Sequence, residues 1–174
     1  MILLKNILVA TDFGEASDAA LGYGREFATR FGARLHVLHV TEPVFTNAGT
    51  ENYAAVAPEL QKEIETSARR RLDELLIDSD GSGPPTSPAI LTARGPAYAI
   101  VDYAKEHNIE LIVVGTHGRG ALAHLVMGSV AERVVRMAPC PVLTVRHPEH
   151  EFIRPDTLAA VARTEGPGTK GVRL

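Results

Sequence analysis

The sequence predicts an α/β fold in which an open five-stranded parallel sheet carries helices on both faces. Apolar, strand-like runs alternate along the chain with segments of helical periodicity, which is the pattern of repeated βαβ units. The run Leu111–Val114 is uninterrupted and rich in β-branched residues, as in strands buried on both faces of a parallel sheet. The 174 residues, 45% of them hydrophobic, are enough for one domain with a sizeable core.

The first two strands are predicted at residues 7–10 and 35–40, on either side of a helix at residues 17–31. Gly32 follows that helix, at the position where a glycine commonly ends one. Gly24 lies on the apolar stripe of the helix, although a glycine there costs ~1 kcal/mol relative to alanine. We therefore expect Gly24 to let the helix lie close to the sheet.

The segment from Thr41 to Pro58 has no clear period and is the least defined part of the predicted core. A strongly amphipathic helix is predicted after it, at residues 60–75. Within this helix, the run Arg69–Arg71 has two interpretations, a phosphate-binding cluster or a solvated face. Consecutive helical residues point in different directions, which favours the solvated face.

Residues 80–85 are predicted to form a surface loop because they consist of Asp, Gly, Ser and Pro. The alternation of strands and helices resumes after this loop, with a proline near the first turn of the next helix. The remaining predicted elements are a third strand at residues 89–93, a helix at 96–107, a fourth strand at 111–114, a helix at 129–137 and a fifth strand at 142–145.

A glycine motif connects the fourth strand to the helix after it. Gly115 and Gly118 follow the strand, and Gly128 and Ser129 begin the helix. Glycines let backbone N–H groups approach a ligand without interference from a Cβ atom. The helix N-terminus adds unpaired N–H groups and the positive end of the helix dipole. The motif therefore predicts an anion site, with a phosphate as the expected ligand.

Two structural alternatives explain the same residues without a ligand. Glycines after a strand often do no more than make a tight turn. Ser129 and Glu132 also have the Ser-x-x-Glu spacing of a capping box, which forms in helices that bind nothing.

The spacing G-x2-G-x9-G-[ST] at Gly115, Gly118, Gly128 and Ser129 resembles that of the ATP-binding subgroup of the universal stress protein family. The resemblance runs from about Lys5 to Arg146, through the segments ILVATD at 7–12 and CPVLTV at 140–145. It implies a Rossmann-like sheet of the adenine nucleotide alpha hydrolase type, formed by residues 1–146. Residues 147–174 lie beyond it and are expected to be a mobile C-terminal extension.

The resemblance also assigns nucleotide contacts outside the glycines. Thr11 and Asp12 fall at the family's nucleotide-contacting position after the first strand, although the residues alone favour a turn or cap role for Asp12. Val40 is expected to meet the adenine edge through its backbone. Arg119, within the glycine loop, either pairs with phosphate oxygens or is solvated.

The seven histidines and the single cysteine do not indicate a metal or redox site. His36 and His39 are three apart on a strand, so they face opposite sides of the sheet, and no His-x-x-x-His pair occurs. Cys140 cannot form an internal disulfide and is expected to be a small buried apolar residue. Mg²⁺ held mainly by ATP phosphates needs few protein ligands and remains the one expected ion.

Charge and length limit the class of partner. A net charge of -3 provides no broad basic field for duplex nucleic acid, and no apolar stretch approaches the ~20 residues of a membrane span. The N-terminus does not resemble a signal peptide, so a cytoplasmic location is expected. The absence of a P-loop or a nucleophile elbow predicts no fast chemistry.

Three functional hypotheses remain. The resemblance implies an ATP-binding regulatory homodimer, in which the strand at residues 142–145 pairs with its copy across a two-fold axis. That pairing would also cover a sheet edge that is otherwise an aggregation hazard. The alternatives are a slow Mg-dependent ATPase and a nucleotide-free dimeric interaction protein.

Overall fold

A computed structural model of the protein describes residues 2–44, 51–77, 83–116 and 127–146, with only the backbone for residues 51–56. Five strands and four helices alternate along these residues. Their bounds are β1 Asn6–Thr11, α1 Glu15–Phe31, β2 Arg34–Thr41, α2 Glu51–Leu75, β3 Thr86–Thr92, α3 Pro96–Glu106, β4 Leu111–Gly115, α4 Ser129–Met137 and β5 Val142–Val145.

The strands form one parallel sheet in the order β3-β2-β1-β4-β5. Side chains alternate across it, so Ile7 and Val9 pack under α1 and α2, whereas Leu8 packs under α3 and α4. Both faces of the central strands are therefore buried. The predicted fold, an open five-stranded parallel sheet with helices on both faces, is confirmed, and β5 lies at an edge of the sheet as predicted.

Close packing of α1 on the sheet depends on Gly24. A Cβ atom at this position would overlap the Val9 side chain. The predicted packing role of Gly24 is thus confirmed. Gly32 ends the helix with φ 62° and ψ 32°, the left-handed conformation for which a glycine is favoured.

Prolines caused the largest errors in the predicted boundaries. The second helix begins at Glu51 and contains Pro58, which the prediction had taken as its outer limit. The third strand begins at Thr86 and contains Pro88, whereas it was predicted from residue 89. A proline is tolerated in β3 because β3 is an edge strand, in which half of the backbone groups need no partner.

In the parts of the chain that the structure describes, no helix is both long and apolar enough to cross a membrane.

Candidate functional site

Those predicted site residues that the structure describes lie at the carboxyl edge of the sheet, where β1 and β4 lie side by side. The last Cα pair between these strands is Ala10 with Val114, which places Thr11 and Gly115 next to each other at the edge. The chain leaves β1 toward β2 on one side, while β4 and β5 lie on the other side. Ligands of open α/β sheets bind at such a reversal of strand order.

A hydrogen-bonded turn joins β1 to α1. The Phe13 N–H donates to Thr11 Oγ1 (3.0 Å), and the Gly14 N–H donates to Asp12 Oδ1 (3.0 Å). Ser17 Oγ lies 3.1 Å from Thr11 Oγ1 and donates to the Gly14 carbonyl (2.8 Å). Asp12 therefore has the turn role that its residue type favoured, and its carboxylate is held at the carboxyl end of β1.

The structural basis of this turn was not foreseen from the sequence. Helix α1 begins at Glu15 with Gly14 as its N-cap, two residues before the predicted start. The early start places the Ser17 hydroxyl within reach of both Gly14 and Thr11. Phe13 has φ 61°, an uncommon conformation for a residue other than glycine.

Val40 lies at the mouth of the same crevice. The pairing of β2 with β1 ends at His39, one residue before Val40, whereas the pairing of β2 with β3 continues to Thr41. The Val40 side chain packs against the core under α3 and α4. Its backbone is thus placed at the strand end, beside the residues that follow β1.

Gly115 has a packing reason that involves no ligand. A Cβ atom there would lie 2.7 Å from the backbone carbon of Ala16 and 2.8 Å from its oxygen. The first turn of α1 could not approach β4 so closely with any other residue at this position. The close contact between the end of β4 and the start of α1 therefore requires a glycine at position 115.

Thr116 connects β4 to α4 and was not identified from the sequence. Its N–H donates to the Val145 carbonyl (2.7 Å), and its own carbonyl accepts from the Gly128 N–H (2.5 Å). Thr116 is buried. These bonds hold the start of α4 against the end of β4, although eleven residues separate Thr116 from Gly128 in the sequence.

The N-terminus of α4 has no side-chain cap. Gly128 is the N-cap residue, in an extended conformation, and makes no side-chain cap bond. Ser129 is the first helical residue and is exposed. The predicted Ser129–Glu132 capping box does not form, because Ser129 lies inside the helix and Glu132 instead bonds Arg136. Uncapped amides and the dipole leave this end of α4 suited to an anion.

The remaining loop residues of the glycine motif are not among the described ones. Gly118 and Arg119 lie outside the described residues, as do His117, His124 and the extension 147–174. Their nucleotide contacts stay predictions. No group of three His, Cys, Asp or Glu side chains within residues 2–44, 51–77, 83–116 and 127–146 lies together as a metal site would require.

The two strand histidines point to opposite faces, as predicted. His36 is buried on the α3 side, with Nδ1 3.0 Å from the Tyr103 hydroxyl. Burial lowers its pKa, and the nearby charges of His107 and Arg34 lower that pKa further. His39 lies on the other face, with Nδ1 2.8 Å from the Thr11 carbonyl.

Cys140 is half-buried against the core under α3 and α4, in agreement with its predicted apolar role. Burial is the main cause that raises the pKa of its thiol. A raised pKa disfavours the thiolate, which is the reactive form of cysteine.

The family profile of the Universal stress protein family matches residues 4–146. The chain belongs to this family. A universal stress protein of Thermus aquaticus, encoded in the QAH/OAS sulfhydrylase 3' region, is 35% identical over 144 residues, which are 83% of this chain and all of the relative.

Solved structures show the same fold. The universal stress protein UspA of Lactobacillus plantarum is 30% identical, with a TM-score of 0.68 over 84% of this chain and all of that one. A universal stress protein solved in complex with cAMP is 22% identical, with a TM-score of 0.54 over 83% of this chain and 98% of that one. At that identity the likeness concerns the fold alone.

Proposed function

We propose that this protein binds ATP, with Mg²⁺, at the carboxyl edge of β1, β2 and β4, and acts as a nucleotide-dependent regulatory homodimer in the cytoplasmic stress response. The observation that carries the proposal is the N-terminus of α4, which begins at the glycine motif without a side-chain cap and is held by Thr116 beside the end of β4. Its amides can donate hydrogen bonds to phosphate oxygens, and Gly128 at the N-cap has no side chain that would take the place of those oxygens.

The positions of the other residues support an extended nucleotide across the edge. Val40 would meet adenine through its backbone, and Asp12 would accept hydrogen bonds from the ribose hydroxyls. The phosphates would follow the glycine motif from Gly115 and Gly118 to Gly128 and Ser129, with Thr11 beside them and Arg119 as a phosphate partner. The known complex of a universal stress protein with cAMP supports an adenine nucleotide as the class of ligand.

The proposed homodimer rests on β5. This strand is four residues long, lies at the edge of the sheet and has three half-buried residues in the isolated chain. An edge strand exposes unpaired backbone groups, which a two-fold copy would pair. Light scattering of the purified protein should give the mass of a dimer at micromolar concentration, and the mass of a monomer would contradict this assembly.

The test of the nucleotide site begins with the ligand that the protein carries through purification. Mass spectrometry of the released small molecules should identify an adenine nucleotide. Adding ATP with Mg²⁺ should raise the Tm, since a ligand at ~100 times its Kd adds ~2.7 kcal/mol to the free energy of unfolding. An unchanged Tm at millimolar ATP would contradict the site. A phosphate-release assay separates a binder from a slow ATPase.

The variant Gly118→Val distinguishes a phosphate site from a simple turn. A branched side chain in the path of the triphosphate should abolish the ATP-dependent increase in Tm while the protein remains folded and dimeric. If Gly118 serves only the turn, the variant should lose the same stability with and without ATP. Unchanged ATP affinity of the folded variant would refute the assignment of this loop.

A further inference from the structure

A second cleft lies near the β1 end of the proposed nucleotide site, on the α2 side of the sheet. It has a volume of about 370 Å³ between the β1–α1 turn and α2. It is lined by Phe13, His39, Thr41, Leu60, Ile64 and Arg71, with Glu63, Ser67 and Ala68 completing the wall. His39 and Thr41 face this cleft because side chains alternate along β2, whereas Val40 between them faces the α3 side. None of the described residues of the proposed nucleotide site lines the cleft.

One wall of the cleft is aromatic and held in place. The Phe13 and His39 rings lie 4.4 Å apart between centroids, tilted by 40°. His39 is fixed by the contact of Nδ1 with the Thr11 carbonyl, and Phe13 by its N–H bond to Thr11 Oγ1. Such a preorganised pair of rings presents a surface for a planar apolar group at little cost in conformational entropy.

A cation stands at the same end of the cleft. The Arg71 guanidinium lies over the Phe13 ring, with its carbon 4.4 Å from the centroid. Arg71 forms no ion pair with any carboxylate of the described residues. A guanidinium held over an aromatic ring can still donate its N–H groups to a carboxylate. The run of three arginines is thus solvated only in part, since its last member faces an aromatic wall.

The other end of the cleft carries an acceptor. Glu63 precedes Arg71 by eight residues on α2, which corresponds to about 12 Å along the helix axis. Leu60 and Ile64 supply the apolar surface beside Glu63. A polyphosphate would bring negative charge to Glu63, so a cleft of this pattern disfavours it. The pattern suits a ligand with an anionic end, a flat apolar middle and a hydrogen-bond donor at the far end.

We propose that this cleft binds an aromatic carboxylate that carries a hydroxyl group opposite its acid. The carboxylate pairs with Arg71, the ring packs against the aromatic wall beside the guanidinium, and the hydroxyl donates to Glu63. This site is separate from the nucleotide site and does not depend on it.

The test is isothermal titration of the full chain with 4-hydroxycinnamate and with its neutral amide. We expect 4-hydroxycinnamate to bind with one site per chain, both without nucleotide and with saturating ATP and Mg²⁺. Arg71→Gln should weaken its affinity about fivefold, the value of one partly exposed ion pair. The affinity of the amide should not change in this variant. Arg70→Gln is the matched control, because Arg70 is exposed and does not line the cleft.

Three results would overturn the proposal. No binding heat at millimolar 4-hydroxycinnamate would mean that the cleft has no such ligand. Equal losses for the acid and the amide in Arg71→Gln would mean that Arg71 only shapes the wall. Competition between 4-hydroxycinnamate and ATP would place the probe in the nucleotide crevice. A failure of ATP to bind would leave the titration itself unaffected, so the two proposals fail separately.

Discussion

The two strand-to-helix junctions at the carboxyl edge of the sheet are held together in different ways, although both helices begin at a glycine N-cap that makes no side-chain cap bond. At the β1–α1 junction, the side chains of Thr11, Asp12 and Ser17 accept hydrogen bonds from the backbone of the turn. The Thr11 and Ser17 hydroxyls also contact each other. At the β4–α4 junction, the backbone of Thr116 bonds Val145 and Gly128, and these two bonds hold the end of β4 beside the start of α4. The comparison teaches that a glycine N-cap does not by itself distinguish the two helix N-termini, so the glycine motif at the β4–α4 junction is what favours an external anion there.

The largest expected effect concerns the residue at which the two junctions touch. Gly115→Ala should lower the free energy of unfolding by about 1–3 kcal/mol, because the added Cβ would overlap the Ala16 backbone. Gly22→Ala is the matched control. Nothing lies within 4 Å of a Cβ at Gly22, so this variant should gain ~1 kcal/mol of helix propensity.

Urea denaturation of both variants without nucleotide is the measurement. A Gly115→Ala protein as stable as the wild type would mean that packing does not require the glycine. The close approach of a ligand to the backbone would then be the remaining explanation for a glycine at this position.

The next effect tests whether the β1–α1 junction is closed by its own side chains. Ser17→Ala removes a hydroxyl that contacts Thr11 and Gly14, and should lower the free energy of unfolding by ~1 kcal/mol. The increase in Tm caused by ATP and Mg²⁺ should be the same as in the wild type. Thermal denaturation with and without the nucleotide measures both. Loss of the nucleotide-dependent increase would show that this junction also contributes to binding.

The complementary variant is Ser129→Ala at the β4–α4 junction. Its stability without nucleotide should stay within ~0.5 kcal/mol of the wild type, because Ser129 makes no cap bond. The ATP-dependent increase in Tm should become smaller, since one hydroxyl is lost at the helix N-terminus. Thr66→Ala removes an exposed hydroxyl of α2 and is the control. If both variants respond to ATP alike, Ser129 does not contact the ligand.

The smallest expected effect is the pH dependence of stability that His36 causes. His36 lies away from both junctions, so this effect should not depend on the nucleotide. His36 is the third residue of β2, buried against Tyr103 and His107, with Arg34 on the same strand. Burial and these charges lower its pKa below the ~6.5 of the unfolded chain. The neutral ring therefore stabilises the fold above about pH 6.5, and this contribution declines as the pH falls below that value.

Urea midpoints measured between about pH 7.5 and 5 should decrease less in His36→Phe than in the wild type. The decrease should be the same with and without ATP, because His36 lies outside both junctions. An equal decrease in the variant would assign the acid sensitivity to other groups.

Local patterns were enough to predict most of the fold. The bounds of α4 and β5 were predicted correctly, and so was the inward position of Gly24, because each depends on periodicity within a few residues. The predicted starts of α2 and β3 were wrong, because each was placed after a proline, Pro58 or Pro88, that lies inside the element. The penalty for a proline depends on neighbouring strands and helices, which a local pattern does not contain.

The candidate site was predictable in its residue types but not in its contacts. The glycine motif indicated the carboxyl edge, yet the packing of Gly115 on Ala16 joins segments that are far apart in the sequence. The bonds of Thr116 to Val145 and Gly128 also join residues that are distant in the sequence, and so does the bond of His39 to Thr11. No periodic signal marks such residues, because their positions are set by the strand order rather than by their neighbours.

The strand order also determines when the crevice can form during synthesis. Strand β1 pairs with β2, but its other edge pairs with β4, from Ile7 with Leu111 onward. A nascent chain can assemble β1, β2 and β3 while that edge of β1 stays uncovered, since β4 leaves the ribosome later. The crevice between Thr11 and Gly115 therefore closes only after β4 has been translated. Any ligand that requires both strand ends would recognise a nearly finished domain and never its N-terminal half.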